Sequence, residues 1–137
     1  MTDESFGFKE IGHTADWALE VSAPDLPGLF RLAAEGMYAL TETTLKAHPR
    51  VERSIELSAI DEESLLVAFL SELLFLSESE GLGFDRFQIT LHGPALQAQI
   101  EGAPIAGQKK EIKAVTYHNL QISRTPAGVS VTIVFDV

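Results

Sequence analysis

The chain of 137 residues contains no cysteine. That absence excludes disulfides, thiolate nucleophiles, zinc fingers and cysteine-ligated iron–sulfur clusters. Positive charge is also scarce: ten Lys and Arg stand against twenty Asp and Glu, a net charge of −10. Sequence-independent binding to a phosphate backbone relies on neutralisation by Lys and Arg, so strong direct nucleic-acid binding is not expected. Long apolar runs are missing too. The longest, Leu65 to Leu76, is broken by Ser71 and Glu72 and is too short to span a bilayer. The first residues, Met-Thr-Asp-Glu-Ser, are acidic and lack the basic-then-apolar layout of a secretory signal. No Gly-x-Ser-x-Gly elbow occurs, and neither Gly81-Leu82-Gly83 nor the Gly102 to Gly107 stretch matches a phosphate loop or a dinucleotide fingerprint. The expectation is a cytoplasmic protein with no membrane partner, a monomer or weak homo-oligomer.

What is present is ordinary globular material. Apolar residues make up 45% of the chain, with eight Phe, one Trp and two Tyr, enough for one domain over residues 1–137 with its own core. Residues 11–22 alternate, with Ile11, His13, Ala15, Trp17, Leu19 and Val21 on one face, which predicts a half-buried strand. Asp25 is a plausible N-cap before Leu26, Leu29, Phe30, Ala33, Met37 and Leu40 at helical spacing, with Pro27 tolerated in the first turn. Thr43 to Arg50 is polar and reads as a loop, and Val51, Ile55 and Leu57 as a short strand. Asp61 then caps a second helix whose Leu65, Leu66, Phe69, Leu70, Leu73, Leu74 and Leu76 form a wide apolar face, ended by Gly81.

The second half is strand-like. Phe87, Ile89 and Leu91 alternate, as do Leu96, Ala98 and Ile100, with His92-Gly93-Pro94 as the turn between them. Gly102 to Lys110 reads as a loop and Ile112 to Ile122 as a strand with an irregularity near His118. Pro126-Ala127-Gly128 turns into a last strand with Val129, Val131, Ile133, Phe135 and Val137 on one face. Two helices and a run of strands predict an α+β fold, the helices packed on a mostly antiparallel β-sheet.

Two carboxylates stand out by position. Asp16 lies inside the first alternating segment, where Asp is disfavoured, and Asp136 is on the polar face of the last strand, followed by the terminal carboxylate of Val137. Were the first and last strands neighbours, these groups would converge, and a hard divalent cation is a common remedy for such repulsion. Oxygen-only ligands favour Ca²⁺ or Mg²⁺ over zinc. The competing reading is two independent solvated carboxylates. A second grouping is Lys113-Ala114-Val115-Thr116-Tyr117-His118: in a strand, Lys113 falls on one face and Thr116 with His118 on the other. Such side chains suit anion binding or acid–base work near neutral pH, or simply a wet strand face. The four histidines, His13, His48, His92 and His118, are scattered, with no His-x-x-x-His pair for zinc.

At these residues the sequence resembles the archease family. The resemblance rests on Gly12-His13-Thr14-Ala15-Asp16, on the Leu29 to Ala34 and Leu65 to Phe75 helices, on Ile112 to His118, and on the closing Val134-Phe135-Asp136-Val137. It runs in order from about Phe8 to the last residue. Trp17 follows the first motif where smaller aliphatic residues are common, and Ala68 stands where a polar residue is frequent. The resemblance implies an archease-like two-layer α+β sandwich and a non-catalytic activator of a GTP-dependent RNA ligase. That ligase joins 3′-phosphate or 2′,3′-cyclic-phosphate ends to 5′-hydroxyl ends in tRNA splicing and RNA repair, and the activator promotes its guanylation and multiple turnover. The resemblance also implies a divalent metal ion, calcium as bound with Mg²⁺ or Mn²⁺ as alternatives, held by Asp16, Asp136 and Val137. His13, Lys113, Thr116 and His118 are then supporting or partner-facing. Two other readings stand beside it: a chaperone-like modulator of RNA-modifying proteins, and a small acid–base enzyme using His13, His118 and Asp16.

Overall fold

The computed structural model describes residues 6–11 and 17–137. Its elements in chain order are β1 (Gly7–Ile11), β2 (Trp17–Ala23), α1 (Leu26–Leu40), β3 (Thr44–Leu45), β4 (Val51–Ser58), α2 (Glu62–Glu80), β5 (Leu82–His92), β6 (Ala95–Gly107), β7 (Ala114–Val115), β8 (Ser123–Thr125) and β9 (Gly128–Asp136). This is an α+β fold, and its described strand pairs are all antiparallel.

Both helices form where their ends are chemically marked. The Asp25 carboxylate accepts from Gly28 N at 2.9 Å, and Pro27 sits in the first turn where no donor is needed. The Asp61 carboxylate accepts from Ser64 N at 2.7 Å, with Glu62 and Glu63 in the first turn complementing the helix dipole. Gly81 ends α2 in the left-handed conformation (φ +67°), where a side chain is strained.

The strands divide into two sheets. In the first, the order is β1-β2-β9-β7, with β8 also on β9. In the second, β6 is central, flanked by β4, β3 and β5. α1 packs on β1 and β2 of the first sheet and on β5 of the second; α2 packs on β4, β5, β6 and β7. The core lies between, with Leu19, Val21, Phe30, Leu66, Phe69, Leu70, Ile133 and Phe135 essentially inaccessible. Phe69 is its aromatic hinge point, tilted on Phe30 at 6.0 Å and edge-on to Phe87 at 6.4 Å. Among the described residues no helix is long and apolar enough to cross a membrane.

Four local expectations differ from the structure. The alternation over residues 11–22 belongs to two strands: β1 ends at Ile11, β2 begins at Trp17, and they pair back with Ile11 opposite Ala18. The Gly102–Lys110 stretch is mostly strand, because β6 runs on to Gly107. A bulge at Phe84–Arg86 brings β5 so close that a Cβ at residue 102 would lie 1.8 Å from the Gly83 carbonyl oxygen. Glycine there permits the strand rather than ending it. Pro104 is harmless because β4 has already stopped opposite Gly102, and its carbonyl still accepts from Lys46 N at 2.8 Å. The polar Thr43–Arg50 stretch contains the short β3. Finally, the expected strand from Ile112 to Ile122 is only β7, two residues long, after which the chain leaves the sheet until β8.

Candidate functional site at the end of the first sheet

The first sheet places the sequence-predicted residues as follows. β9 is its central strand, paired with β2 along one edge from Ala23–Val129 to Trp17–Phe135. Trp17 is thus the first described residue of β2 and stands directly across from Phe135. Asp136 follows Phe135 and marks the change from core to solvent: Val134 and Phe135 are buried, whereas Asp136 and Val137 are exposed. Asp16 and His13 lie outside the described residues.

On the other edge of β9, β7 sets Ala114 opposite Asp136. Lys113 donates its backbone N–H to the Asp136 carbonyl at 2.8 Å, which fixes the backbone of the strand end and leaves the carboxylate to solvent. Among the described residues that carboxylate joins no ion pair. Thr116 acts inwardly. Its N–H and its hydroxyl both donate to the Val134 carbonyl, at 3.0 and 2.9 Å, and its hydroxyl oxygen accepts from His118 N at 3.2 Å. Its polar atoms are therefore spent on turning the chain out of the sheet, a local side-chain turn of the kind Thr favours. His118 and Tyr117 are carried outward by that turn, and the His118 Nε2 lies 3.3 Å from Asn119 Nδ2.

Two residues that matter here carried no marked signal in the sequence. Lys110 places its Nζ 5.1 Å from the centroid of the Trp17 ring and 3.7 Å from Glu42 Oε2. The backbone N–H groups of Lys109 and Lys110 both donate to the Thr41 carbonyl at 3.1 Å, so this segment closes the C-terminal end of α1. α1 has no basic residue in its own last turn; Lys109 and Lys110 bring cations to that end from elsewhere in the chain. The unusual Trp17 was the available hint. Glu63 is the second: its carboxylate leaves the first turn of α2 to accept from Ile122 N at 2.9 Å, while Glu62 pairs with Arg124 at 2.7 Å. Two neighbouring carboxylates thereby hold the return of the chain from Tyr117 to β8.

As a place for a cation, the strand end offers oxygen only. Among the described residues no three His, Asp or Glu side chains converge; Asp136 supplies one free, exposed carboxylate. That donor chemistry fits a hard divalent ion completed by further oxygens. Of the residues in the acid–base reading, His118 lies against Asn119, and His13 and Asp16 lie outside the described residues. A groove of about 490 Å³ runs elsewhere, along β1, lined by Lys9, Glu20 and Ser130 rather than by His118.

Comparison with known proteins gives a consistent result. The model of the archease protein family (MTH1598/TM1083) matches residues 8–137. The protein archease of Thermococcus gammatolerans is 35% identical over 124 residues, covering 85% of this chain and 87% of the relative. That of Methanosarcina mazei is 31% identical over 146 residues, covering both chains completely. Among solved structures, the solution structure of Methanobacterium thermoautotrophicum protein 1598 superposes with a TM-score of 0.70 at 26% identity, over 96% of this chain and 99% of that one. The crystal structure of a Thermotoga maritima archease, described as a possible chaperone, gives a TM-score of 0.70 at 25% identity, over 94% and 96%.

Proposed function

The chain belongs to the archease family, and from that premise we propose that it is a cytoplasmic accessory protein of a GTP-dependent RNA ligase. It promotes guanylation of the ligase, which joins 3′-phosphate or 2′,3′-cyclic-phosphate ends to 5′-hydroxyl ends, and catalyses no step itself. Asp16, Asp136 and the terminal carboxylate of Val137 hold a divalent ion, Ca²⁺ or alternatively Mg²⁺ or Mn²⁺. When bound, such an ion supplies positive charge against the negative charge that develops in nucleotidyl transfer.

The observation that carries this reading is the Trp17–Phe135 pairing. Asp16 is bonded to one member of that pair and Asp136 to the other, and consecutive Cα atoms are about 3.8 Å apart. Two carboxylates are therefore tethered to one cross-strand pair, one of them exposed and free of cations among the described residues. The net charge of −10 supports the choice of partner, since an acidic surface complements an enzyme built to bind RNA. Lys113, Thr116 and His118 then serve the docking face: Lys113 and Thr116 fix the strand end, and Tyr117 and His118 project beside it. The test is recovery of the ligase with this protein from a native extract, with and without chelator. Recovery that a chelator abolishes supports the reading; no ligase in either condition contradicts it.

The chaperone-like reading needs a contiguous exposed apolar patch of several hundred Å². Ile60 and Phe75 are 90% and 59% exposed, but one precedes α2 and the other lies near its far end, roughly 20 Å along the helix. Phe6 and Phe8, each 38% exposed, lie together on the groove along β1, and the Thermotoga maritima relative is described as a possible chaperone; both support a general accessory role.

A further inference from the structure

We infer that the open edge of β4 is a docking site for an extended segment of a partner protein, one in which basic residues alternate with apolar ones. The inference is independent of the metal reading, because β4 belongs to the second sheet. β4 pairs with β6 alone, in a register that runs unbroken from Val51–Gly102 to Ser58–Ala95. One bond sets the phase of that ladder: Ala59 N–H donates to the Pro94 carbonyl at 3.0 Å, so residue 59 points toward β6. Antiparallel strands alternate inward and outward backbone groups. Arg53, Ile55 and Leu57 therefore bond to β6, and Glu52, Ser54, Glu56 and Ser58 turn their N–H and C=O groups away from it. Among the described residues a single contact meets that outward row, the Arg53 guanidinium donating to the Glu52 carbonyl at 3.0 Å. The backbone groups of Ser54, Glu56 and Ser58 face outward unpaired.

Such an edge is a template for another strand, and folded proteins usually blunt it. β5, on the other side of β6, has a bulge at Phe84–Arg86. β4 has neither bulge nor proline; what marks its edge is charge of one sign. Glu52, Ser54, Glu56 and Ser58 are exposed on the outer face, and Val51, Ile55 and Leu57 turn toward the core. Among the described residues neither Glu52 nor Glu56 joins an ion pair; the Gln97 amide donates to Glu56 at 3.4 Å. Opposite charges stabilise a cross-strand pair and like charges oppose it. A lysine or arginine beside each glutamate is therefore favoured, and the alternate apolar side chains extend the inner face past Ile55 and Leu57. Ile60, 90% exposed two residues past the end of β4, gives that apolar face more to cover. A second copy of β4 would bring the same carboxylates and no outer-face cation of its own, so the charges favour a different chain.

The experiment titrates the whole, isotope-labelled protein at about 0.15 M salt with two capped octapeptides, one alternating lysine with valine and one alternating glutamate with valine. We expect saturable amide shifts from the lysine peptide, concentrated at residues 52–58, and binding of the glutamate peptide weaker by about fivefold or more. Ser54→Pro removes one outward donor without touching the ladder to β6, an edge position where proline is tolerated. It should weaken the lysine peptide about tenfold at an unchanged urea midpoint. Glu52→Lys combined with Glu56→Lys should reverse the preference, so that the glutamate peptide binds more tightly. Lysine-peptide shifts scattered over the acidic surface, or an affinity unchanged in a stably folded Ser54→Pro, overturn the proposal. If Ser54→Pro lowers the urea midpoint, the charge-reversed variant decides, and an unreversed preference overturns it. Shifts over residues 52–58 that grow with protein concentration alone place a second copy on the edge, and overturn it as well.

Discussion

Trp17 and Phe135 are cross-strand partners at the point where β2 begins and β9 runs out. Phe135 is fully buried and Trp17 is half-buried under Lys110, so the apolar interior of the first sheet ends at this pair. Beyond it β9 ends in Asp136 and Val137, both exposed, and in the sequence Asp16 immediately precedes Trp17. The proposed metal site and docking face rest on that pairing, because Asp16 and Asp136 are each the chain neighbour of one of its members.

Gly102 makes the most demanding steric claim in the fold. A Cβ there meets the Gly83 carbonyl oxygen at 1.8 Å and Phe84 Cα at 2.7 Å, both backbone atoms that cannot swing aside. Gly102→Ala is expected to cost about 2–4 kcal/mol, as overpacking at a rigid site does. Urea denaturation checks it, with a lower midpoint and unchanged slope. Gly107→Ala is the control: its nearest neighbour is the Thr44 hydroxyl at 3.3 Å, a side chain that can shift, and the loss should stay within about 1 kcal/mol.

The helix legibility has a physical basis that the strands lack. Asp25, Asp61 and Gly81 each carry a boundary in a single residue, through a capping carboxylate or a positive φ, so both helices read correctly from sequence. Alternation, by contrast, says that a residue lies in some strand and not in which one. Ile11 and Trp17 to Val21 keep one phase although they lie in antiparallel partners. Gly102 and Pro104 read as loop because their roles, a close backbone approach and a ladder position beyond the end of β4 but still paired with Leu82 of β5, exist only in the folded sheet. Of the two oddly placed carboxylates, the structure describes Asp136, exposed at the end of β9. Lys110 and Glu63 were not legible, since each acts on a residue far away in sequence.

Asp61 predicts a pH dependence. Its carboxyl is held below the ordinary carboxylate range by the Ser64 backbone N–H and then by the Ser64 side chain; that of Asp85 is held low by hydrogen bonds from Arg50. A folded value below the unfolded one means the stabilisation is fully present above about pH 4 and is lost as pH falls through the folded values. Asp61→Ala should lower Tm by roughly 3–6 °C at pH 7. The gap to wild type should narrow as the pH of the scans falls through the lowered folded value.

Glu63 predicts a local effect. Its carboxylate is the acceptor for Ile122 N–H across 59 residues of sequence, in a partly buried setting. Glu63→Ala leaves that donor without its partner and should cost about 1–2 kcal/mol. Amide hydrogen exchange checks the location: protection should fall at Ile122 and its neighbours, while amides within β9 keep theirs.

The central claim is that the carboxylate end of the first sheet activates an RNA ligase. Guanylation of the cognate ligase, followed over several turnovers with wild type, Asp16→Ala and Asp136→Ala, tests it most directly. The account predicts that wild type stimulates guanylation and sustained turnover, and that each substitution removes most of the stimulation while the protein stays folded. Equal stimulation by wild type and both variants would contradict it.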